Sequence, residues 1–273
     1  MILLMAWLAV DVQAVLSSTQ SSKQGGVEVR DILFANSQGT YTAAYRVCPA
    51  RPKKGPGVLF VHWYHPSHAT SNRSQFLSEA KLLAKRGVCS LLVDTMWSQP
   101  EYFTLRDPAK DELATRRQRD RLRDALAFLL SWPEVDPARV AYVGHDFGGM
   151  NGALLAGDER RVKAWAIQAA APAWSDWYLL GSKLTGIERE AAIARTAALD
   201  PVEHLRKAQG AFLFQFGDDD RYVPEARARL LYATAPEPKR LLFYQAGHSL
   251  NQLAVEDRME WLLGQLSVAK AAR

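Results

Sequence analysis

The sequence predicts an α/β domain built on a mostly parallel sheet with helices on both faces. Three observations predict it. From Gly57 on, short continuous apolar runs recur as "GVLFVHW", "VCSLLVD", "RVAYVG", "KAWAIQAA", "AFLFQF" and "RLLFYQ", and a strand apolar in every position is one covered on both sides. Between these runs lie amphipathic stretches long enough for helices, the alternation that gives parallel sheets. The 273 residues, 48% hydrophobic and 23% charged, supply one full-sized core more readily than two small ones.

The elements follow in chain order. An apolar run opens the chain and stops at Asp11, too short for a bilayer span of about 20 residues. Val12-Gln13-Ala14 then offers small residues where a signal peptidase reads, so a signal peptide ending near Ala14 is expected, although no Lys or Arg precedes the run. The competing reading is a strand or helix of the fold. Residues 17–26, rich in Ser, Gln and Gly, read as a linker. Residues 1–26 are therefore expected as leader and linker, 27–273 as the domain, and the location as periplasmic or secreted, or cytoplasmic without a leader.

"VEVRDILFA" and "YTAAYRVC" alternate in polarity around "NSQG", which predicts a hairpin. With the six apolar runs this makes eight strands. Helices are expected over 72–85, 110–131, 147–155, 225–233 and 252–268. Residues 172–210 form an insert with "GIEREAAIARTAALDP" as its helix, a short lid suited to small or medium substrates. The basic run Thr115 to Asp124 is interspersed with acids and leads into an apolar stretch. That pattern, with a formal charge of only +5, reads as a solvated helix face and gives no sign of nucleic-acid binding.

Functional groups in such a sheet gather at the carboxyl ends of the strands. That rule sets His62, Asp94, Asp146, the 172–178 loop, Asp220 and His248 along one rim. "RVAYVGHDFGGM" reads as strand, tight turn and helix, with Gly144 and Gly148 two residues to either side of Asp146. A nucleophile elbow needs glycine at those places, where a side chain would strike the neighbouring strand or helix. The elbow's usual serine is an aspartate here.

With "AYVGHDFGGM", "GDDDRYVP" and "AGHSL" in that order, the chain from about Val27 resembles the α/β-hydrolase superfamily, in its dienelactone-hydrolase and prolyl-oligopeptidase-like branch. The elbow itself is similar to those of epoxide hydrolases and haloalkane dehalogenases. The resemblance implies Asp146 as nucleophile, Asp220 as the acid three residues after Gly217, and His248 as the histidine. It leaves Asp218 and Asp219 as solvated turn carboxylates. Backbone N–H groups of Phe147 and Trp63 are implied as the oxyanion hole, with Trp63 standing where the family has a glycine. Tyr64, Trp97, Trp174, Trp177 and Tyr178 are the expected substrate pocket.

No cofactor and no metal are expected. His62, His65 and His68 invite a metal reading, but a proline separates the last two and no carboxylate or cysteine cluster is near in sequence. Cys48 and Cys89 read as two buried thiols. The resemblance adds that the second strand runs antiparallel beside the fourth, which brings these cysteines close and allows a bond in an oxidising compartment.

An aspartate changes the chemistry. A carboxylate attacking an ester gives a reactive anhydride and expels a poor alkoxide, whereas at a saturated carbon bearing an epoxide oxygen or a halide it gives an alkyl ester that water can hydrolyse. The expected function is a hydrolase with an Asp-His-Asp triad acting through that ester on a small-molecule epoxide or halide. The alternatives are a dienelactone-hydrolase-like carboxylic ester hydrolase and a non-catalytic ligand-binding descendant of the fold.

Overall fold

The computed structural model describes residues 15–66, 72–99 and 101–268. The expected signal peptide, at 1–14, lies outside them. The elements run β1 (Val15–Gln24), β2 (Val27–Ala35), β3 (Tyr41–Pro49), β4 (Gly55–Val61), α1 (Leu77–Ala84), β5 (Cys89–Val93), α2 (Tyr102–Leu105), α3 (Asp111–Leu130), β6 (Val135–His145) and α4 (Phe147–Ala156). The second half continues with β7 (Ala164–Gln168), α5 (Ser175–Tyr178), α6 (Gly186–Ala197), α7 (Pro201–Leu205), β8 (Ala211–Gly217), α8 (Glu225–Thr234), β9 (Lys239–Tyr244) and α9 (Gln252–Gln265).

One nine-stranded sheet in the order β1-β2-β3-β5-β4-β6-β7-β8-β9 carries the molecule. The pairs from β5 to β9 are parallel and those from β1 to β5 through β3 are antiparallel. The ninth strand is a correction. Residues 17–24, expected as a linker, pair with β2 as the sheet's edge, because a polar chain can still satisfy its backbone along one open strand.

The apolar runs alternate between two cores. Leu59 and Val61 of β4, Tyr142 of β6, Trp165 of β7 and Phe214 of β8 face α3, α4, the lid helices and α8. Val58, Phe60, Val143, Ala166 and Leu213 face α1 and α9. Period-two alternation with both faces apolar is what makes these runs continuous in sequence. Between the two helices of the second face, Arg258 forks onto Glu79 at 2.7 and 3.0 Å and reaches Gln215 of β8 at 2.7 Å.

Register sets the cysteines opposite each other. Val47 of β3 pairs with Ser90 of β5, which leaves Cys48 facing Cys89, and the two form a buried disulfide with Cα atoms 4.3 Å apart. The reading as two separate thiols is thereby replaced. The chain leaves β4 on one side for β5 and returns on the other for β6, and this reversal opens a crevice at the strands' carboxyl ends. His62 and Asp146 lie there.

Candidate active site

The elbow is built by close approach. A Cβ on Gly148 would lie 2.1 Å from the carbonyl oxygen of Val61, and one on Gly144 would lie 2.3 Å from that of Gly148. Only hydrogen fits at either place. Between them Asp146 takes φ 56° and ψ −116°, a strained backbone for a residue with a side chain. The strain presents its carboxyl group at the head of α4.

The two carboxylate oxygens have different surroundings. Oδ2 accepts the backbone N–H of Tyr64 at 3.2 Å, and the N–H of Phe147 faces the same carboxylate. Oδ1 stands 3.8 Å from Nε2 of His248, an ion-pair distance too long for a hydrogen bond. Among the described residues neither Oδ1 nor Nε2 has a hydrogen-bond partner. A gap therefore separates them at the point where both aim.

His248 is fixed from behind. Its Nδ1 donates to Oδ2 of Asp220 at 2.8 Å, while Oδ1 of Asp220 accepts the backbone N–H groups of Tyr222 and Val223 at 2.8 and 3.1 Å. Asp218 instead caps the backbone of Ala246, and Asp219 is exposed. Burial alone would hold His248 below the ordinary histidine range, but the carboxylates of Asp146 and Asp220 outweigh it and raise the imidazole to about 9. Asp146 moves upward as well, through burial, against the pull of His248 and the two N–H groups.

Trp63 departs from its expected role. Its backbone N–H donates to Oε1 of Gln75 at 2.9 Å, so the N–H delivered to Asp146 comes from Tyr64, one residue later. The chain leaving β4 turns between them. Gln75 continues the network: its Nε2 donates to Nδ1 of His145 at 2.6 Å, and Nε2 of His145 donates to the carbonyl of His248 at 2.8 Å. A carbonyl can only accept, which fixes this tautomer. Burial holds His145 far below the usual range and keeps it neutral. Gln75 and His145 were not singled out from the sequence, where twelve residues separate Gln75 from the backbone it supports.

The aromatic residues assemble around Phe147, whose ring lies 5.4 Å from Trp97, 5.8 Å from Trp174, 5.6 Å from Trp177 and 6.2 Å from Tyr178. Trp97 and Trp174 are fully buried, and their indole N–H groups bond the carbonyls of His62 and Leu199. They pack behind Phe147. Tyr178 spends its hydroxyl on Thr115 at 2.8 Å. Trp177 packs 5.5 Å from the His248 ring, and its buried N–H has no partner among the described residues. Tyr64 packs its ring on Phe103 at 4.9 Å.

The remaining rim residues are structural. His62 donates to the carbonyl of Trp63 and bonds the hydroxyls of Ser98 and Thr95, and Asp94 accepts from Ser98. His68 lies outside the described residues. Among those described, the one cluster of three possible metal ligands is Cys48, Cys89 and Glu134, and its sulfurs are bonded to each other.

A family model of the prolyl oligopeptidase family matches residues 74–266, a span holding the elbow, Asp220 and His248. The chain belongs to the prolyl oligopeptidase family. It is a hydrolase with the α/β-hydrolase fold. No curated protein matches this family member by sequence. Solved structures do match its fold. An acetyl xylan esterase from Paenibacillus sp. R4 superposes with a TM-score of 0.74 at 18% identity, covering 92% of this chain and 89% of that one. Acetyl xylan esterase 1 from Thermoanaerobacterium sp. gives 0.71 at 17%, covering 90% and 86%. A putative dienelactone hydrolase from Klebsiella pneumoniae gives 0.61 at 15%, covering 85% and 95%.

Proposed function

We propose that this hydrolase attacks with Asp146 at a saturated carbon bearing an epoxide oxygen or a halide, forming an alkyl ester that His248 and water then break. One observation carries this reading: Oδ2 of Asp146 already occupies the N–H of Tyr64 while Oδ1 faces the gap before His248. In an acyl transfer the hole must receive the substrate's oxyanion. Here a carboxylate oxygen fills it, and its charge would oppose a second anion. For an alkyl ester on Asp146 the same oxygen becomes the carbonyl, and water's attack develops charge at the N–H groups already in place.

The charges follow the steps. Oδ1 bonds to carbon as the carbon–oxygen or carbon–halogen bond breaks, and the leaving atom departs with the electron pair. An alkoxide takes the proton of His248; a halide leaves as the anion, and the proton passes to solvent. Alkylation removes one of the two carboxylates that hold the imidazole protonated, so His248 becomes a base for the second step. It then takes a proton from the attacking water and returns it to the departing alcohol oxygen. The N–H of Trp177 is the available donor for the leaving atom.

The comparisons favour a second reading, carboxylic ester hydrolysis, because the family match and the esterase and dienelactone hydrolase neighbours point to acyl substrates. In it Asp146 would serve as a base toward water. Turnover of epoxides, haloalkanoates and nitrophenyl esters by wild type and Asp146→Asn separates the two. The first reading expects turnover of an epoxide or haloalkanoate that falls at least about a thousandfold in Asp146→Asn. Turnover of the esters alone would establish the second.

A further inference from the structure

The groups that meet at the candidate site come from separate segments: the Tyr64 N–H from the chain after β4, Asp146 from the elbow after β6, and His248 from the chain after β9. One side chain outside all of them reaches across. Gln75 sits in the turn that leads into α1, and the next residue, Phe76, is buried against Phe60 of β4 with ring centroids 5.0 Å apart. The amide is thus rooted in the core. Its Oε1 accepts the Trp63 N–H at 2.9 Å, its Nε2 donates to Nδ1 of His145 at 2.6 Å, and Nε2 of His145 donates to the His248 carbonyl at 2.8 Å. His145 is the residue before Asp146, so this relay touches all three segments.

Both ends of the relay are backbone groups of fixed polarity. The Trp63 N–H can only donate and the His248 carbonyl can only accept, so the amide must turn its oxygen to Trp63 and its nitrogen to His145, and the imidazole must carry its proton on Nε2. Every link has one orientation. A proton added at Nδ1 of His145 would face the amide nitrogen and open the chain; burial, with the charges of His248 and Arg258, keeps it off. The Trp63 ring adds a second tie, stacked 5.0 Å from His145 and 6.2 Å from His248.

We propose that Gln75 and His145 are positioning residues, a relay that holds the Tyr64 N–H and the His248 ring in register with Asp146. The proposal rests on the reading that Asp146 and His248 act together on substrate, whether Asp146 attacks carbon or activates water. Fixing the Trp63 N–H orients the peptide that follows, whose N–H meets Oδ2 of Asp146 at 3.2 Å. Fixing the His248 carbonyl sets the distance of its ring from Oδ1. A displacement of about 1 Å between reacting groups can cost about a hundredfold in rate.

Kinetics and imidazole NMR of Gln75→Leu, Gln75→Asn, His145→Leu and His145→Gln test this, with whichever epoxide, haloalkanoate or nitrophenyl ester wild type turns over. Leucine breaks the relay at either place, and asparagine is one methylene too short to reach both partners of Gln75. These three should lower kcat about a hundredfold with KM within about twofold of wild type. His145→Gln offers an amide oxygen to Gln75 and an amide nitrogen to the His248 carbonyl, and should keep kcat within about fivefold. The titratable groups against His248 are Asp146, Asp220, His145 and Tyr222. His248 should titrate near 9 in His145→Gln as in wild type, and fall toward about 6.5 in the three broken variants as its ring slackens from Asp146. A packing role alone would lower the thermal midpoint and leave both readouts in place. If a leucine variant fails to fold, Gln75→Asn and His145→Gln carry the comparison. The inference is overturned if the Gln75 variants keep wild-type kcat and a His248 near 9, or if His145→Gln loses as much kcat as Gln75→Asn. Failure of the functional reading shows separately, as turnover that survives in Asp146→Asn.

Discussion

Asp146 and His248 hold each other's charge across 3.8 Å, and this coupling can be measured. The His248 imidazole should titrate near 9 by NMR and fall toward the ordinary value of about 6.5 in Asp146→Asn, which removes one of the two carboxylates that raise it. The stability consequence has a definite sign. A folded-state value above the unfolded one stabilises fully below about pH 6.5 and loses that contribution as pH rises through about 9. The thermal midpoint should fall over that window more in wild type than in His248→Gln. At this scale glycine spacing marked Asp146, between Gly144 and Gly148, and the resemblance supplied Asp220 and His248, which the structure brings together with it. The sequence was silent on Gln75 and one residue out at Trp63, because a backbone N–H is aimed by the turn of the loop and not by the side chain.

Among the elements, α1 and α9 are joined to β8 by one buried guanidinium. Arg258 satisfies Glu79 with two hydrogen bonds and Gln215 with a third. Removing one partner of such a group strands the other's charge in the core. Urea denaturation of Arg258→Ala should show a loss of about 3–5 kcal/mol, whereas Glu79→Leu/Arg258→Met should recover most of it. Nothing local in the sequence announces this contact, since 179 positions separate its partners. The continuous strands and the α3 and α9 helices were legible from their apolar runs. Strand β1 was not, because "VLSSTQSSKQ" carries almost no apolar signal and its pairing is decided by the edge that β2 leaves open.

The whole molecule is a sheet whose one rim holds the candidate site and whose antiparallel border is fastened by a disulfide. The bond spans 41 positions of sequence, and closing a loop of that size restricts the unfolded chain. Replacing both cysteines by serine should lower the unfolding free energy by about 3–4 kcal/mol, read by denaturant titration without reductant. Disulfides persist in oxidising compartments, which supports export as a proposal for this chain. Read as residues alone the two cysteines stood as buried thiols; the resemblance brought them close and allowed a bond, and the register of β3 against β5 sets them face to face in one.

The covalent role of Asp146 is the central claim, and a single turnover in ¹⁸O-labelled water tests it most directly, using the substrate identified by the panel. Water attacks the ester carbonyl of the enzyme, so mass analysis of the peptide "VGHDFGGM" should find the heavy oxygen in Asp146 and the product unlabelled. In His248→Gln the same peptide should carry the alkyl adduct, because a carboxylate needs no base to attack whereas water does. Label found only in the product, with no adduct in His248→Gln, would contradict the account and assign the attack to water.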